Sequence, residues 1–141
     1  MAHSYHHAVS SARTWGGDPS DYQAIHDWLD GSKLILADFR HRALRHHAEG
    51  CFAAEALFGA TIRTSTGRLV PVRLIAEQHI REDLGRIPSF ADWARCIRPE
   101  PWMGRPGVRL TDDHGTCDSA TANNSKSPAE ASSSVAGPSS A

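Results

Sequence analysis

Large apolar side chains almost disappear from this 141-residue chain after Ile97. From Pro99 to Ala141 there is one Trp, one Leu, no Ile and no Phe, and the chain closes in runs of Ser, Ala, Gly and Pro. Such a segment cannot bury enough apolar surface to offset the entropy lost on ordering. The sequence therefore predicts one folded domain over residues 1–98 and a disordered tail over residues 99–141.

Charge and composition argue against several classes of protein. Fifteen Lys and Arg residues stand against 16 Asp and Glu residues, which argues against nucleic-acid binding by bulk charge. No apolar run reaches the ~18 residues of a membrane span, and the first residues lack the build of a signal peptide, so we expect a cytoplasmic protein. The three Cys residues are widely spaced, which argues against a disulfide framework or a Cys-rich zinc site.

Turn and capping residues predict a compact, mainly α-helical domain with one small β-hairpin. The predicted helices run to about Thr14, from Pro19 to about Leu29, from Lys33 to Phe58, from Pro71 to Leu84, and onward from Pro88-Ser89. Residues 60–64 and 68–70 flank Ser65-Thr66-Gly67 and form the predicted hairpin. The segment from Lys33 to Phe58 contains no Pro and ends at Gly59, so it is predicted to be one long central helix.

Helical periodicity places a histidine on the apolar face of this long helix. The predicted buried arc consists of Leu36, Phe39, Ala43, Leu44, Gly50, Cys51, Ala54, Leu57 and Phe58. His47 lies in the middle of the arc, with Arg40 beside it two turns earlier, and His46 lies at its edge. A Gly inside a helix often marks a close neighbour, so we expect the helix that carries His79 to approach Gly50.

The helix from Val72 to Leu84 carries a second inward histidine. His79 and Asp83, spaced i,i+4, lie at the centre of its apolar arc. A carboxylate and an imidazole on one inward face can bind a metal ion, or the Asp can orient the His as a general base. Two plainer interpretations stay open: a hydrogen-bonded core histidine for His47, and a structural pair for His79 with Asp83.

Earlier histidines are candidate partners for these two. We predict that His47 and His79 share one site with His7 or His26, and that Asp83 and these histidines bind a divalent zinc, manganese or iron ion. The alternatives are a surface position for His26 and a frayed terminus for His7.

Several stretches resemble a known family. These are residues 7–17, Asp21-Tyr22, residues 25–28, residues 38–47, Glu77-Gln78-His79, residues 82–88 and Asp92-Trp93. Together they are similar to small uncharacterised proteins of bacteria and phages that are grouped as a domain of unknown function. The resemblance covers about His7 to Ile97. It implies a self-contained domain of this length and brings no activity with it.

Two functions of different class follow from the residues. In the first, the metal serves hydrolysis of a phosphoester, with Asp83 and Arg40 as catalytic residues and Arg40 holding the substrate anion. The order of His and Asp along the chain is similar to that in HD-type metallophosphohydrolases, as an analogy. In the second, the protein is a non-enzymatic phage or bacterial accessory protein or adaptor, whose histidines form a buried polar network or a structural metal site. Its partner would be a protein or a small molecule.

Overall fold

A computed structural model describes residues 3–104 and residue 106, and this part of the chain is mainly helical, as predicted. The α-helices are α1 (Ser4–Trp15), α2 (Pro19–Asp30), α3 (Ala48–Phe58), α4 (Val72–Leu84) and α5 (Phe90–Ala94). The strands are β1 (Thr61–Arg63) and β2 (Leu69–Pro71), and 3₁₀ helices cover Gly31–Leu34, Phe39–Leu44 and Pro101–Met103. None of the helices described is long and apolar enough to cross a membrane. Of the predicted tail over residues 99–141, residue 105 and the part from residue 107 onward lie outside the described residues.

Local capping explains where α1 ends and α2 begins. Gly16, at φ 85°, ends α1. The Asp18 side chain accepts a hydrogen bond from the N–H of Ser20, and the Asp21 carboxylate accepts one from the N–H of Asp18. Together with Pro19 in the first turn, these contacts form the predicted N-terminus of α2. The two helices pack against each other.

The predicted hairpin is confirmed and leads directly into α4. β1 and β2 pair antiparallel, with Ile62 opposite Val70. Gly67 adopts φ 84° in the turn between them, a conformation that L side chains rarely adopt. Pro71 ends β2 and is also the N-cap of α4, and Gly85 closes α4 in the left-handed conformation.

The prediction of one long helix from Lys33 to Phe58 is wrong. This segment contains two 3₁₀ helices and turns before α3 begins. Side chains replace helical hydrogen bonds at two points along it. The Asp38 carboxylate accepts from the N–H of Arg40. His47 Nδ1 accepts from the N–H of Gly50 at 3.0 Å, which makes His47 the N-cap of α3.

The predicted buried arc on that helix is correspondingly only partly buried. Its exposed members are Leu36, Phe39, Leu44 and Leu57. Its buried or partly buried members within α3 are Gly50, Cys51, Ala54 and Phe58. The helical wheel fails because its phase is lost at each break before α3.

Gly50 is required by the chain just before α3 and not by α4. A Cβ at this position would collide with the backbone carbonyl of Arg45, so a glycine is needed there. The expectation that the helix carrying His79 explains Gly50 is therefore wrong, although α3 and α4 do pack against each other.

The core lies among α1, α2, α3, α4 and the hairpin. Its buried apolar residues are Ala8, Tyr22, Ile25, Leu29, Cys51, Ala54, Val70, Val72, Ile75, Ala76 and Ile80. Six histidines of residues 3–104 are also buried in the interior: His7, His26, His41, His46, His47 and His79. Buried imidazoles need polar partners, and the search for those partners leads to the candidate site.

Candidate metal centre

Four side chains from three parts of the chain converge in the interior. Asp30 is the last residue of α2, His46 lies in the turn before α3, and His79 and Asp83 lie one turn apart on α4. One ligand atom of each residue lies within 4.8 Å of those of the other three. Their side chains are between 0 and 9% exposed. We call these four residues the ligand group.

Five of the six separations within the ligand group are close to those of a tetrahedral metal site, and the sixth, between Asp30 and Asp83, lies within 4.8 Å. His46 Nε2 lies 3.2 Å from His79 Nε2 and 3.1 Å from Asp83 Oδ2. Asp30 Oδ1 lies 3.9 Å from His46 Nε2 and 3.7 Å from His79 Nε2. His79 Nε2 lies 3.8 Å from Asp83 Oδ2. Ligands bound at ~2.1 Å in a tetrahedron lie about 3.4 Å apart, so these distances bracket the required value.

A chain of hydrogen bonds determines which nitrogen of His79 carries the proton. Gln78 donates its NH₂ group to the Glu82 carboxylate at 2.7 Å, and its amide oxygen accepts from the Ser11 hydroxyl. Ser11 Oγ then accepts from His26 Nε2–H at 2.9 Å, so His26 Nδ1 is an acceptor. His79 Nδ1 lies 2.9 Å from that acceptor and therefore donates its proton to it. The lone pair of His79 Nε2 is left facing the ligand group.

Burial keeps both histidines in this chain neutral. The pKa of His26 is lowered to about 3, first by burial and then by the charges of His79 and His7. Burial also lowers the pKa of His79, although the neighbouring Asp30 carboxylate opposes the shift. Neutral imidazole is the form that binds a metal ion.

The Asp83 carboxylate stays ionised inside the protein. Burial acts to raise its pKa, but a hydrogen bond from His46, the nearby His7 ring and the charge of Arg42 hold the pKa well below its usual value. Arg42 Nη2 lies 3.2 Å from Asp83 Oδ2. Asp83 is therefore available as an anionic oxygen ligand.

Asp30 is also ionised, with fewer partners. Burial acts to raise its pKa, but the adjacent His79 ring and the nearby Lys33 ammonium hold the pKa below its usual value. Lys33 Nζ lies 2.8 Å from Asp30 Oδ1. Asp30 Oδ1 is thus paired with Lys33, while Oδ2 has no hydrogen-bond partner among the described residues. A buried carboxylate favours a cation beside it, which Lys33 already supplies at Oδ1.

His7 lies beside the ligand group and belongs to α1. Its Nδ1 donates to Glu82 Oε2 at 2.6 Å, and its Nε2 lies 3.4 Å from Asp83 Oδ1. The ring packs on that of His79, with 4.0 Å between centroids. Burial acts to lower the pKa of His7, but the carboxylates of Asp83 and Glu82 outweigh it and raise the pKa above its usual value.

Four of the sequence-predicted site residues meet in this interior. His79 and Asp83 both face inward, and His7 and His26 contact His79. Of these four, His26 serves as the hydrogen-bond partner of His79 and leaves the ligand position to others. That these residues bind a metal stays a prediction.

His47 does not join them. Its Nδ1 accepts from the N–H of Gly50, and its Nε2 lies 3.3 Å from the carbonyl oxygen of Leu44. The prediction that His47 occupies the site fails because the chain leaves the helical path before α3. As a result, its neighbour His46 turns toward His79 instead.

Arg40 was predicted to hold a substrate anion at the site, and the structure gives it other contacts. Its side chain is 67% exposed and pairs with Asp38, Nη2 to Oδ2 at 2.7 Å. The guanidinium therefore makes its contacts at the surface with a carboxylate of its own turn.

Sequence reasoning missed Asp30 and His46. A signal for Asp30 was present, because His26 and Asp30 on α2 have the same i,i+4 spacing as His79 and Asp83 on α4. Both pairs lie on buried faces. The sequence carried no equivalent signal for His46, since its orientation depends on the break before α3.

Comparison with known families identifies the family of this chain. Residues 2–103 match the family described as Domain of unknown function (DUF6915), and the chain belongs to that family. Neither the curated proteins nor the solved structures contain a match to it. The family description assigns no activity, so the function has to be argued from the site.

Proposed function

We propose that this domain binds one divalent transition-metal ion through Asp30, His46, His79 and Asp83, and that the ion stabilises the fold. The ligands come from α2, from the turn before α3 and from α4, so the ion ties together segments that are distant in sequence. Two imidazole nitrogens and two carboxylate oxygens form a donor set suited to zinc, manganese or iron.

The lone pair of His79 Nε2 is the observation that carries this proposal. The hydrogen-bond chain from Gln78 leaves this nitrogen without a proton. It nevertheless lies 3.7 Å from an oxygen of Asp30 and 3.8 Å from an oxygen of Asp83. A lone pair that faces two buried carboxylates is unfavourable unless a cation lies among them or a donor such as His46 Nε2–H reaches it. One divalent ion would satisfy all three groups.

The burial of the ligand group favours a structural ion. A catalytic metal keeps an open position for water and substrate, whereas structural sites are closed by four protein ligands. The ligand group has four members, and each side chain is at most 9% exposed. Phosphoester hydrolysis with Asp83 and Arg40 as catalytic residues would need an approach to this group, and Arg40 is engaged with Asp38.

The second candidate is that the ligand group forms a polar network without a metal, and specific contacts favour it. Lys33 and Arg42 each place a positive charge beside one carboxylate of the ligand group. In the absence of a metal, His46 Nε2–H can donate to both His79 Nε2 and Asp83 Oδ2. The histidines would then serve the fold of a non-enzymatic accessory or adaptor protein.

Metal titration separates the two candidates. The chain is purified without a histidine tag, stripped with a chelator and titrated calorimetrically with zinc or manganese. We expect one ion per chain. Asp30→Asn should weaken binding by more than about tenfold, because even outer-shell partners of a metal change its affinity by 10–100-fold.

Asp27→Asn is the matched control. Asp27 lies on the same helix, is exposed, and pairs with Ser4 and Gln23 instead of the ligand group. Circular dichroism verifies that both variants fold. No binding by the wild-type chain, or equal binding by the Asp30→Asn and Asp27→Asn variants, would favour the metal-free network.

A further inference from the structure

We infer that two copies of this chain associate through an exposed apolar patch on the segment between α2 and α3. The patch consists of Leu34, Ile35, Leu36, Phe39 and Leu44. The inference does not depend on the proposed metal site. It adds an interaction surface and a partner, a second copy of the same chain, to the proposed function.

Large apolar side chains are concentrated on the outside of this segment. Leu34, Ile35 and Phe39 are 94, 72 and 66% exposed. The first three residues of the patch are consecutive, and the 3₁₀ helices Gly31–Leu34 and Phe39–Leu44 pack against each other. Single exposed apolar residues are common on soluble proteins, whereas a cluster of this kind marks an interaction site.

Polar side chains of the same segment are buried instead. Ser32 and His41 are fully buried and form a hydrogen bond, Oγ to Nδ1, at 2.9 Å. The Arg42 side chain is 15% exposed and reaches Asp83 in the interior. The segment therefore turns polar groups inward and large apolar groups outward, the reverse of the usual distribution. Such a reversal is favourable when a second apolar surface covers the outer side.

The area of the patch is large enough for a weak dimer. A large apolar residue presents ~150–200 Å² when it is fully exposed, so the exposed fractions of the five residues correspond to about 500–600 Å². Two copies that bury this area face to face remove about 1,000–1,200 Å² from water, which reaches the lower limit of specific interfaces. We expect a dissociation constant in the micromolar range for an interface at this limit.

The cations around the patch are already engaged within the chain, which argues against a lipid surface or an acidic partner. Segments that bind lipid surfaces surround their apolar residues with free Lys and Arg. A neutral apolar patch can instead meet its own copy about a twofold axis without repulsion between like charges. The contacts made by the Lys and Arg residues of 31–47 are Lys33 with Asp30, Arg40 with Asp38, Arg42 with Asp83, and Arg45 with the ring and carbonyl of Trp28.

Residues 107–141 are too poor in large apolar side chains to cover the patch within one chain. They contain one Leu and two Val, and no Ile, Phe, Trp or Met. Contact with this segment would therefore leave most of the patch in water. A second copy brings an apolar area equal to that of the patch itself.

Sedimentation equilibrium of the full-length chain tests the inference. A chelator is present, so that metal ions do not link chains through exposed histidines. We expect a monomer–dimer equilibrium with a micromolar dissociation constant over chain concentrations from about 5 to 500 μM. A wild-type chain that remains monomeric throughout this range would overturn the inference.

Substitutions then locate the interface. Ile35→Glu places a carboxylate in the patch of both copies and should weaken the dimer by more than about tenfold. Phe39→Glu carries the same expectation and serves if the first variant does not fold, which circular dichroism verifies. Leu57→Glu is the matched control, because Leu57 is 59% exposed on α3 outside the patch, and this variant should dimerise as wild type does. Equal weakening by Leu57→Glu and Ile35→Glu, or no weakening by the patch variants, would overturn the inference.

Co-sedimentation with vesicles of phosphatidylcholine and phosphatidylglycerol separates self-association from lipid binding. We expect the wild-type chain to stay in the supernatant, because its cations near the patch are engaged. Vesicle binding by the wild-type chain that is lost in Ile35→Glu would assign the patch to a lipid surface and overturn the inference.

Discussion

His46 and Asp83 are 37 positions apart in the chain, and His46 Nε2 lies 3.1 Å from Asp83 Oδ2. The contact joins the turn before α3 to the last turn of α4. The two side chains are 0 and 5% exposed, so their interaction is shielded from solvent and salt. Loss of either partner leaves the other buried without compensation, with consequences that can be measured.

Replacement of Asp83 by alanine should destabilise the metal-free domain by about 1 to 3 kcal/mol. The reason is that His46, His7 and Arg42 all lose a contact in the interior. Urea unfolding in the presence of a chelator measures the change. The control is Glu77→Ala, which removes surface ion pairs from α4 and should cost within about 0.5 kcal/mol. Equal effects of the two substitutions would contradict the buried role of Asp83.

Gly50→Ala should destabilise the domain by about 1 to 3 kcal/mol, because the added Cβ meets the carbonyl of Arg45 and the backbone must shift. In an unhindered helix, the same change would stabilise by about 0.5 to 1 kcal/mol, so the sign of the effect is decisive. Gly31→Ala is the control, since Gly31 has φ −60° and a Cβ there meets only the end of the Arg45 side chain. Chemical denaturation of the two variants tests the close approach.

Cys51 should resist alkylation while the protein is folded. Burial raises the pKa of its thiol to about 11, and the charge of Glu77 adds to the shift. At pH 8 the thiolate that reacts with iodoacetamide is therefore scarce, and the side chain is also inaccessible. In guanidinium the pKa returns toward about 8.5 and Cys51 should be modified. Peptide mapping by mass spectrometry measures both; equal rates in the two conditions would show that the thiol is accessible.

The elements predicted correctly from the sequence are those whose ends are encoded locally. Asp18 with Pro19 begins α2, Gly67 lies in the hairpin turn, and Gly85 ends α4. Ser89 forms the predicted capping box of α5. Each signal acts within about four residues, so no knowledge of the tertiary structure is needed to interpret it.

The break before α3 could not be predicted in the same way. Asp38 and His47 cap helical turns here, but both residue types also occur inside helices, and nothing nearby distinguishes the two cases. Once the break is missed, the helical wheel assigns the inward position to His47, whereas the structure has His46 facing His79. Adjacent residues differ by 100° on a helix, so a small error in phase is enough to select the wrong one of the two.

The candidate site was predicted where it depends on a single helix and missed where it depends on packing. The i,i+4 spacing of His79 and Asp83 predicted correctly that both side chains of α4 face inward. Asp30 could be assigned to the same site only once the packing of α2 beside α4 was known. The charge of Lys33 beside Asp30 lowers the cost of burying it.

Deletion of residues 106–141 should leave the melting temperature nearly unchanged. The sequence of this segment is poor in large apolar residues, and Trp102, shortly before it, is 78% exposed. Since 1 kcal/mol corresponds to ~4–8 °C for a domain of this size, we expect a shift below about 2 °C. Calorimetry of the truncated and full-length chains measures it. A larger drop would mean that the segment docks on the domain and that the predicted boundary is wrong.

Zinc or manganese should stabilise the domain in proportion to the logarithm of its free concentration. An ion that binds only the folded chain adds about 2.7 kcal/mol at one hundred times its Kd, because unfolding separates the ligands. The effect should be strong here, since Asp30, His46 and His79 come from different parts of the chain and the unfolded state cannot bring them together. Thermal unfolding of the chelator-treated chain at increasing metal concentrations measures it. The Asp27→Asn variant should respond as wild type does, and the Asp30→Asn variant should lose most of the response. A melting temperature independent of metal in the wild-type chain would contradict a structural ion and favour the metal-free network.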